Sequence, residues 1–300
     1  MRQTISILSF IMPLSLPLPS TYEYLSELIT AIDLAQQAGD LLLHIHRQGP
    51  RRIRTKQTGV DMVTEADTAS QELILETITS RFPAHSILAE EEGGDQQRGG
   101  RALWLIDPLD GTTNFASRFP VFAVSIALWV DEKPVIGVVQ DVVRERTFWA
   151  AAGQGAWMAT PQRVDELRLQ VSHTKELNQS LLATGFPYVR ATVSDNNLAE
   201  FNYLMPRVRG IRRAGAAALD LAWLADGRLD GYWEARLAPW DWGAGVLFIA
   251  EAGGVITDYM GESWQLGKDQ MVAANPHLHA KLLAAVQTAR QQAGFPLQII

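Results

Sequence analysis

The sequence predicts an α/β fold in which helices and strands stack in layers. Three observations carry this reading. The chain has 300 residues, of which 47% are hydrophobic and 20% charged, an ordinary globular composition with ample material for a core. Three strand-like runs follow one another over 121–152. Beyond them, apolar strand candidates alternate with helical runs, the pattern of layered α/β architecture.

The elements follow in order. Leu25, Leu28, Ile29, Ile32, Ala35, Leu41, Leu42 and Ile45 recur at helical spacing, predicting an amphipathic helix over 22–46 with Gly39 inside it. Residues 71–80 read as a second helix, ended near Pro83. Residues 86–89 form a short apolar run that meets Glu90, Glu91 and Glu92, and 93–101 read as a polar loop. A strand is expected over 103–106, then strands over 121–130, 134–141 and 147–152. Gly153-Gln154-Gly155 marks a boundary between an N-terminal α+β part, 21–153, and a C-terminal α/β part, 154–300. In the second part, strands over 181–184, 229–233, 255–257 and 271–274 alternate with helices over 216–225, 242–252 and 276–291.

Composition limits function. A net charge of −7 argues against a general nucleic-acid binder, because such a surface repels phosphates. If the chain handles anions, it must recruit cations, and metal ions are the obvious means. The chain has no cysteine, which removes disulfides, thiolate metal sites and cysteine nucleophiles and fits a reducing, cytoplasmic setting. Residues 1–20 open with one arginine and an apolar run, faintly like a signal peptide. Pro13, Pro17 and Pro19 interrupt that run, no A-x-A-like cleavage site follows, and it is too short and broken to span a membrane. It reads as a disordered extension, with Met12 as an alternative start.

The most informative stretch is LIDPLDGTTNF, 105–115. A strand delivers Asp107 at its end, Pro108 stiffens the chain, and Asp110 returns toward the same side. Two carboxylates held this close repel unless a cation lies between them. Gly111 permits backbone conformations that other residues avoid. Thr112 and Thr113 add hydroxyls and backbone N–H groups, and a helix starting there would favour an anion at its N-terminus. Hard divalent cations such as Mg²⁺ take oxygen ligands and share them with substrate phosphate. An Asp-Pro-x-Asp alone is an ordinary polar turn before a capped helix; the full string is far more specific.

Together with three further motifs, the stretch resembles the inositol monophosphatase family of Mg²⁺-dependent phosphatases. Trp104 and 106–115 fit W-I-D-P-[LI]-D-G-T-T-N-F. Upstream, 60–67 fit V-D-x-V-T-x-x-D, and 87–91 fit I-x-G-E-E, with Ala89 in place of glycine. Downstream come Trp240-Asp241 and the Glu-Ala-Gly-Gly of 251–254, so the resemblance spans about 22–290.

The resemblance implies a layered αβαβα sandwich, a homodimer, inhibition by Li⁺, and hydrolysis of a small-molecule phosphate monoester by metal-activated water. It implies two to three Mg²⁺ ions held by Glu90, Asp107, the Leu109 carbonyl, Asp110 and Asp241. It makes Glu90, Thr112 and Asp67 catalytic, with the Thr112 hydroxyl orienting the attacking water and Asp67 behind it. The N–H groups of Gly111, Thr112 and Thr113 are to receive phosphate oxygens. Gly215, Ala216, Ala217 and Glu234, with Asp110 and Asp241, are to contact the alcohol. Ala216 departs from the serine or threonine of many relatives, removing a hydroxyl. The substrate expected is myo-inositol 1-phosphate, with histidinol phosphate, another sugar or nucleotide phosphate, or a regulatory binding role as alternatives.

Read without the resemblance, Asp67 and Asp241 are also candidate helix caps. Asp61 reads as a turn residue or a support behind the site, and Asp220 as a structural or surface residue of its helix. The resemblance makes Lys56 a charge partner near the metal cluster. His44, His46, His277 and His279 have no ligand spacing and read as structural or surface residues. Trp233, Trp240 and Trp242 are expected to wall the cleft.

Overall fold

A computed structural model of the chain describes residues 20–49, 53–55, 62–91, 100–160 and 167–297. Residues 1–19, Lys56, Asp61 and Glu92 lie outside the described residues. The first part contains α1 (Leu25–Gln48), β1 (Ile53–Thr55), β2 (Met62–Thr64), α2 (Glu65–Arg81), β3 (Ser86–Ala89), β4 (Ala102–Asp110), α3 (Thr112–Ala116), β5 (Ala123–Val130), β6 (Lys133–Asp141), β7 (Arg146–Ala151), β8 (Gly155–Ala159) and β9 (Leu167–Arg168). Then come β10 (Leu181–Thr184), α4 (Leu198–Leu204), β11 (Gly210–Arg212), α5 (Ala217–Ala225), β12 (Gly231–Ala235), α6 (Pro239–Trp242), α7 (Gly245–Glu251), β13 (Val255–Thr257), β14 (Gln270–Ala274) and α8 (His279–Ala293).

Two larger sheets organise these elements. The seven-stranded sheet runs β3-β4-β5-β6-β7-β8-β9; β3 and β4 are parallel and all other pairs antiparallel. The five-stranded sheet runs β11-β10-β12-β14-β13, parallel through its first three strands. Helices α1 and α2 cover one face of the larger sheet, while α5 and α7 lie between the two sheets. Helix α8 covers the outer face of the smaller sheet and packs on α4. The order of layers is therefore αβαβα.

Each apolar layer has its own core. Strand β5 is buried on both faces. Val124, Ile126 and Leu128 point into the core beneath α1 and α2. Ala123, Ala127 and Trp129 point into the core between the sheets. This is why β5 reads as a continuous apolar run rather than an alternating one. Trp233 and Trp242 are fully buried. Trp242 packs edge-on against both Trp129 and Trp264, so Trp233 and Trp242 build core rather than wall a cleft.

Several expected boundaries shift, with identifiable causes. Helix α2 starts at Glu65 rather than at 71, because the Thr64 side chain accepts from Ala66 N and Asp67 accepts from Thr64 N. The helix expected over 242–252 is two pieces, α6 and α7. Gly153-Gln154-Gly155 lies at the turn between antiparallel β7 and β8, so the larger sheet continues to Arg168. No helix among the described residues is long and apolar enough to cross a membrane.

The outer layer is pinned by a buried ion network. The Arg290 side chain is 1% exposed and donates to Asp195 at 3.0 and 2.7 Å and to Glu200 at 2.6 Å. Removing one member of a buried ion network leaves the others uncompensated. Arg290→Ala is therefore expected to lower unfolding free energy by about 3–5 kcal/mol in urea titrations; a loss near zero contradicts this role.

Candidate functional site

The site is built where β4 ends. Opposite β5, Asp107 pairs with Ser125 and Asp110 with Ala123, so the register slips between the two acids. The expected strand over 103–106 thus extends through the motif as a bulged strand, not as a turn after it. The bulge re-aims side chains that strict alternation would send to opposite faces. Asp107 and Asp110 are nearly buried, at 2% and 7% exposure.

Gly111 follows at φ 93°, a left-handed conformation that turns the chain directly into α3. A Cβ here would lie 3.0 Å from the Val121 carbonyl and 3.2 Å from that of Gly215. The amides of Thr112 and Thr113 open α3, where a helix has no carbonyl of its own to offer them.

Each acid is held by a different element. Leu109 N donates to Asp107 Oδ1 at 3.0 Å. The α5 amides of Ala217 and Ala218 donate to Asp110 at 3.2 and 2.8 Å. A carboxylate at the start of a helix gains from its dipole. Asp241 lies in the first turn of α6 and accepts from Ala238 N at 2.7 Å, so it caps the helix as it faces the cluster. Glu90 continues the β3–β4 pairing through its own N–H, which donates to the Ile106 carbonyl at 3.2 Å.

Thr112 and Asp67 form a second unit. The Thr112 hydroxyl donates to Asp67 Oδ1 at 2.8 Å, with the Leu109 carbonyl at 3.1 Å as a second acceptor in reach. Asp67 Oδ2 accepts from Thr64 N at 2.8 Å and from the Thr64 hydroxyl at 2.7 Å. Asp67 is both a capping residue of α2 and the partner of Thr112; the two roles use different oxygens.

The electrostatics are those of crowded like charge. Burial, then Glu90, Asp110 and Asp241, push the Asp107 carboxyl well above its ordinary range. Asp110 rises to about 7, from burial first and then Glu90 and Glu234, against the opposing α5 amides. Asp241 is raised well above its range by burial, Glu90 and Asp110. Burial also raises Asp67, opposed by its hydrogen bonds from Thr64 and Thr112. The donors that meet here are all oxygen, the ligand set of a hard cation. Among the described residues, no group of three or more acids or histidines is drawn in tightly enough to hold an ion. The acids stand where they raise one another's pKa.

The expected alcohol contacts divide. Glu234, on β12, joins the cluster: burial raises it to about 7, while a hydrogen bond from the Tyr232 hydroxyl and the nearby Arg213 act the other way. Gly185 leaves room for this carboxylate, since a Cβ there would lie 2.0 Å from Glu234 Oε1. Gly215, Ala216 and Ala217 sit against Gly111 and Asp110, and the Ala217 amide is spent on Asp110.

Sequence reasoning missed two residues. Asp220, read as structural or surface, is 2% exposed and raised by burial and by the fields of Glu234 and Asp110; its Oδ1 has no hydrogen-bond partner among the described residues. The signal was a lone acid inside the apolar run 216–222. Asn114 donates to the carbonyls of Val121 at 2.7 Å and Ala214 at 2.8 Å, joining α3 to the approach of α5. Nothing in its local sequence signals a contact across 100 residues.

The raised carboxyls set a pH dependence for metal-free protein. Asp110 moves from an ordinary 3.8 to about 7, and Glu234 from 4.5 to about 7. Between those values the folded chain holds protons that the unfolded chain has released. Stability contributed by these groups is thus complete at low pH and lost as pH rises through about 7. In chelator, Tm is expected to fall from about pH 4 to pH 7; a Tm that rises across this window contradicts the assignment.

Comparison with known proteins identifies the family. Residues 24–291 match the inositol monophosphatase family. The chain is 43% identical over 241 residues to the inositol-1-monophosphatase of Synechocystis sp., covering 80% of this chain and 82% of that one. It is 41% identical over 262 residues to the Nus factor SuhB of Pseudomonas aeruginosa, covering 86% and 94%. The solved inositol monophosphatase of Anabaena (Nostoc) sp. superposes with a TM-score of 0.77 at 41% identity, covering 88% of this chain and 96% of that one. The chain belongs to the inositol monophosphatase family, a family of phosphatases.

Proposed function

We propose that the chain is a Mg²⁺-dependent phosphomonoesterase whose substrate is myo-inositol 1-phosphate. The observation that carries this reading is the Thr112–Asp67 hydrogen bond set beside the buried acids of β4. It places a polarised hydroxyl next to a cation-seeking cluster and the first amides of α3. The all-oxygen donor set fits Mg²⁺, with Glu90, Asp107, the Leu109 carbonyl, Asp110 and Asp241 as the residues that would hold it. Bound there, Mg²⁺ offsets the charge of a phosphate dianion, lowers the pKa of water and stabilises the leaving alkoxide.

The chain's own groups do the positioning. Thr112 gives its proton to Asp67 Oδ1, which leaves its oxygen lone pairs to accept a proton from the attacking water. Asp67 is itself held by Thr64, so the direction of this relay is fixed before substrate arrives. The N–H groups of Gly111, Thr112 and Thr113 donate to phosphate oxygens. Water attacks in line with the leaving oxygen, and no protein nucleophile is needed.

The alcohol is recognised through Glu234, an acceptor for polyol hydroxyls. Arg213 lies within the field of Glu234 and adds positive charge at that end. The name of the Synechocystis relative supports the same substrate. A second reading, a regulatory binding role, is favoured by the relatives named Nus factor SuhB, at 37–41% identity.

Two experiments separate these readings. Phosphate release from myo-inositol 1-phosphate is expected to exceed that from histidinol phosphate, to need Mg²⁺ and to fall with Li⁺; preference for histidinol phosphate overturns the substrate. Asp110→Asn is expected to remove hydrolysis, by about a hundredfold or more, with the far-ultraviolet circular dichroism unchanged. A cellular phenotype that survives this substitution favours the binding role. Thr112→Val, which keeps shape and removes the hydroxyl, is expected to lower kcat by about 10²–10⁴-fold; unchanged kcat removes Thr112 from the relay.

A further inference from the structure

Glu234 stands on β12, the middle strand of the five-stranded sheet. Side chains two residues apart on a strand share a face. Tyr232 and Glu234 therefore point into the layer between the sheets, while Trp233 points into the outer core. The Tyr232 hydroxyl donates to Glu234 Oε2. Tyr232 is fully buried, between the cross-strand neighbours Ala183 and Ala273. Burial, then Glu234 and Asp220, push its phenol well above the ordinary range, so it stays the donor of the pair.

A second set of contacts bounds the same carboxylate. Gly185, directly after β10, lies flat against it, and a Cβ there would overlap both carboxylate oxygens. Asn197 fixes this wall: its Nδ2 donates to the Gly185 carbonyl at 2.6 Å and to the Thr184 hydroxyl at 2.7 Å. Its Oδ1 accepts from Trp233 Nε1 at 2.7 Å, which ties the wall to the residue beside Glu234. Asn197 is 5% exposed and adopts a left-handed φ of 75° to make these contacts. The Glu234 carboxylate is thus gripped through Oε2 and walled by backbone.

We propose that Tyr232 is a positioning residue for the alcohol: it holds Glu234 Oε2 and leaves Oε1 to accept from a substrate hydroxyl. This rests on the reading of Glu234 as the acceptor for a polyol. Tyr232 acts through Glu234 and does not touch the substrate. A phenol has one proton to give, and here Oε2 receives it. An acceptor fixed before the ligand arrives loses less side-chain freedom on binding it. The Tyr232–Glu234 pair therefore sets how far the site favours an alcohol that bears hydroxyls over one that does not.

The test compares two substrates in the presence of Mg²⁺: myo-inositol 1-phosphate and phenyl phosphate, whose organic part carries no free hydroxyl. The measured quantity is the ratio of kcat/KM for the first to kcat/KM for the second. Tyr232→Phe keeps the ring and removes only its hydroxyl. It is expected to lower the ratio by about tenfold, chiefly by raising KM for myo-inositol 1-phosphate. A variant that merely disturbs the fold loses active enzyme for both substrates alike and leaves the ratio in place. A ratio within about twofold of wild type therefore overturns the proposal. Glu234→Ala is expected to lower the ratio at least as far, and adding Tyr232→Phe to it is expected to lower it no further. A further fall of about tenfold in the double variant overturns the proposal, because Tyr232 then acts by a route other than Glu234. The wild type alone tests the reading beneath. No preference for myo-inositol 1-phosphate in wild type refutes that reading and the role of Tyr232 with it, whereas a preference that survives Tyr232→Phe refutes the role of Tyr232 alone.

Discussion

Repulsion among buried carboxylates is the constraint around which the rest of this structure is arranged. Asp107 and Asp110 are almost wholly out of water at the end of β4, with Glu90 and Asp241 in their field. Left ionised and uncompensated, such a group is costly, so it either keeps a proton or finds a cation. Each acid is nevertheless held in place by a backbone amide from a rigid element: Leu109 for Asp107, α5 for Asp110, α6 for Asp241. These bonds favour the charged form and so work against burial. The arrangement stores an attraction for hard cations in the fold itself.

That constraint explains why two sheets are needed. Asp107 and Asp110 belong to the larger sheet, while the amides that fix Asp110 belong to α5, more than 100 residues later. Helices α5 and α7 occupy the layer between the sheets, and their apolar contacts carry the site's geometry across the molecule. Glu234 arrives from β12 of the smaller sheet, which the buried network of Arg290, Asp195 and Glu200 braces from outside through α8. The hydrogen-bonded pair Thr112 and Asp67 shows the same economy. One carboxylate caps α2 through Oδ2 and holds the hydroxyl through Oδ1.

Much of this was legible in the sequence, for reasons of period and punctuation. Helix α1 follows from apolar spacing, and β5, β6 and β7 from three apolar runs separated by charged turns. The acids of the site were legible from their motifs. Features set by packing over distance were not. Strand β8 is short, with a left-handed glycine at its start, and owes its strand state to pairing with β7. The start of α2 depends on Asp67 folding back onto Thr64. Asp220, Asn114 and Arg213 gain their significance only when α5 packs against the end of β4. A local reading therefore placed Asp220 with structural or surface residues.

The most direct test of the central claim is the proton balance of cation binding. Mg²⁺ is titrated calorimetrically into metal-free protein near pH 6, in buffers of different ionisation enthalpy. If the acids of β4 hold protons in the absence of a cation, the apparent enthalpy depends on the buffer with the sign of net proton release, and the release diminishes as pH is raised beyond about 7. Binding without proton release at pH 6, or no Mg²⁺ binding at all, would contradict the account.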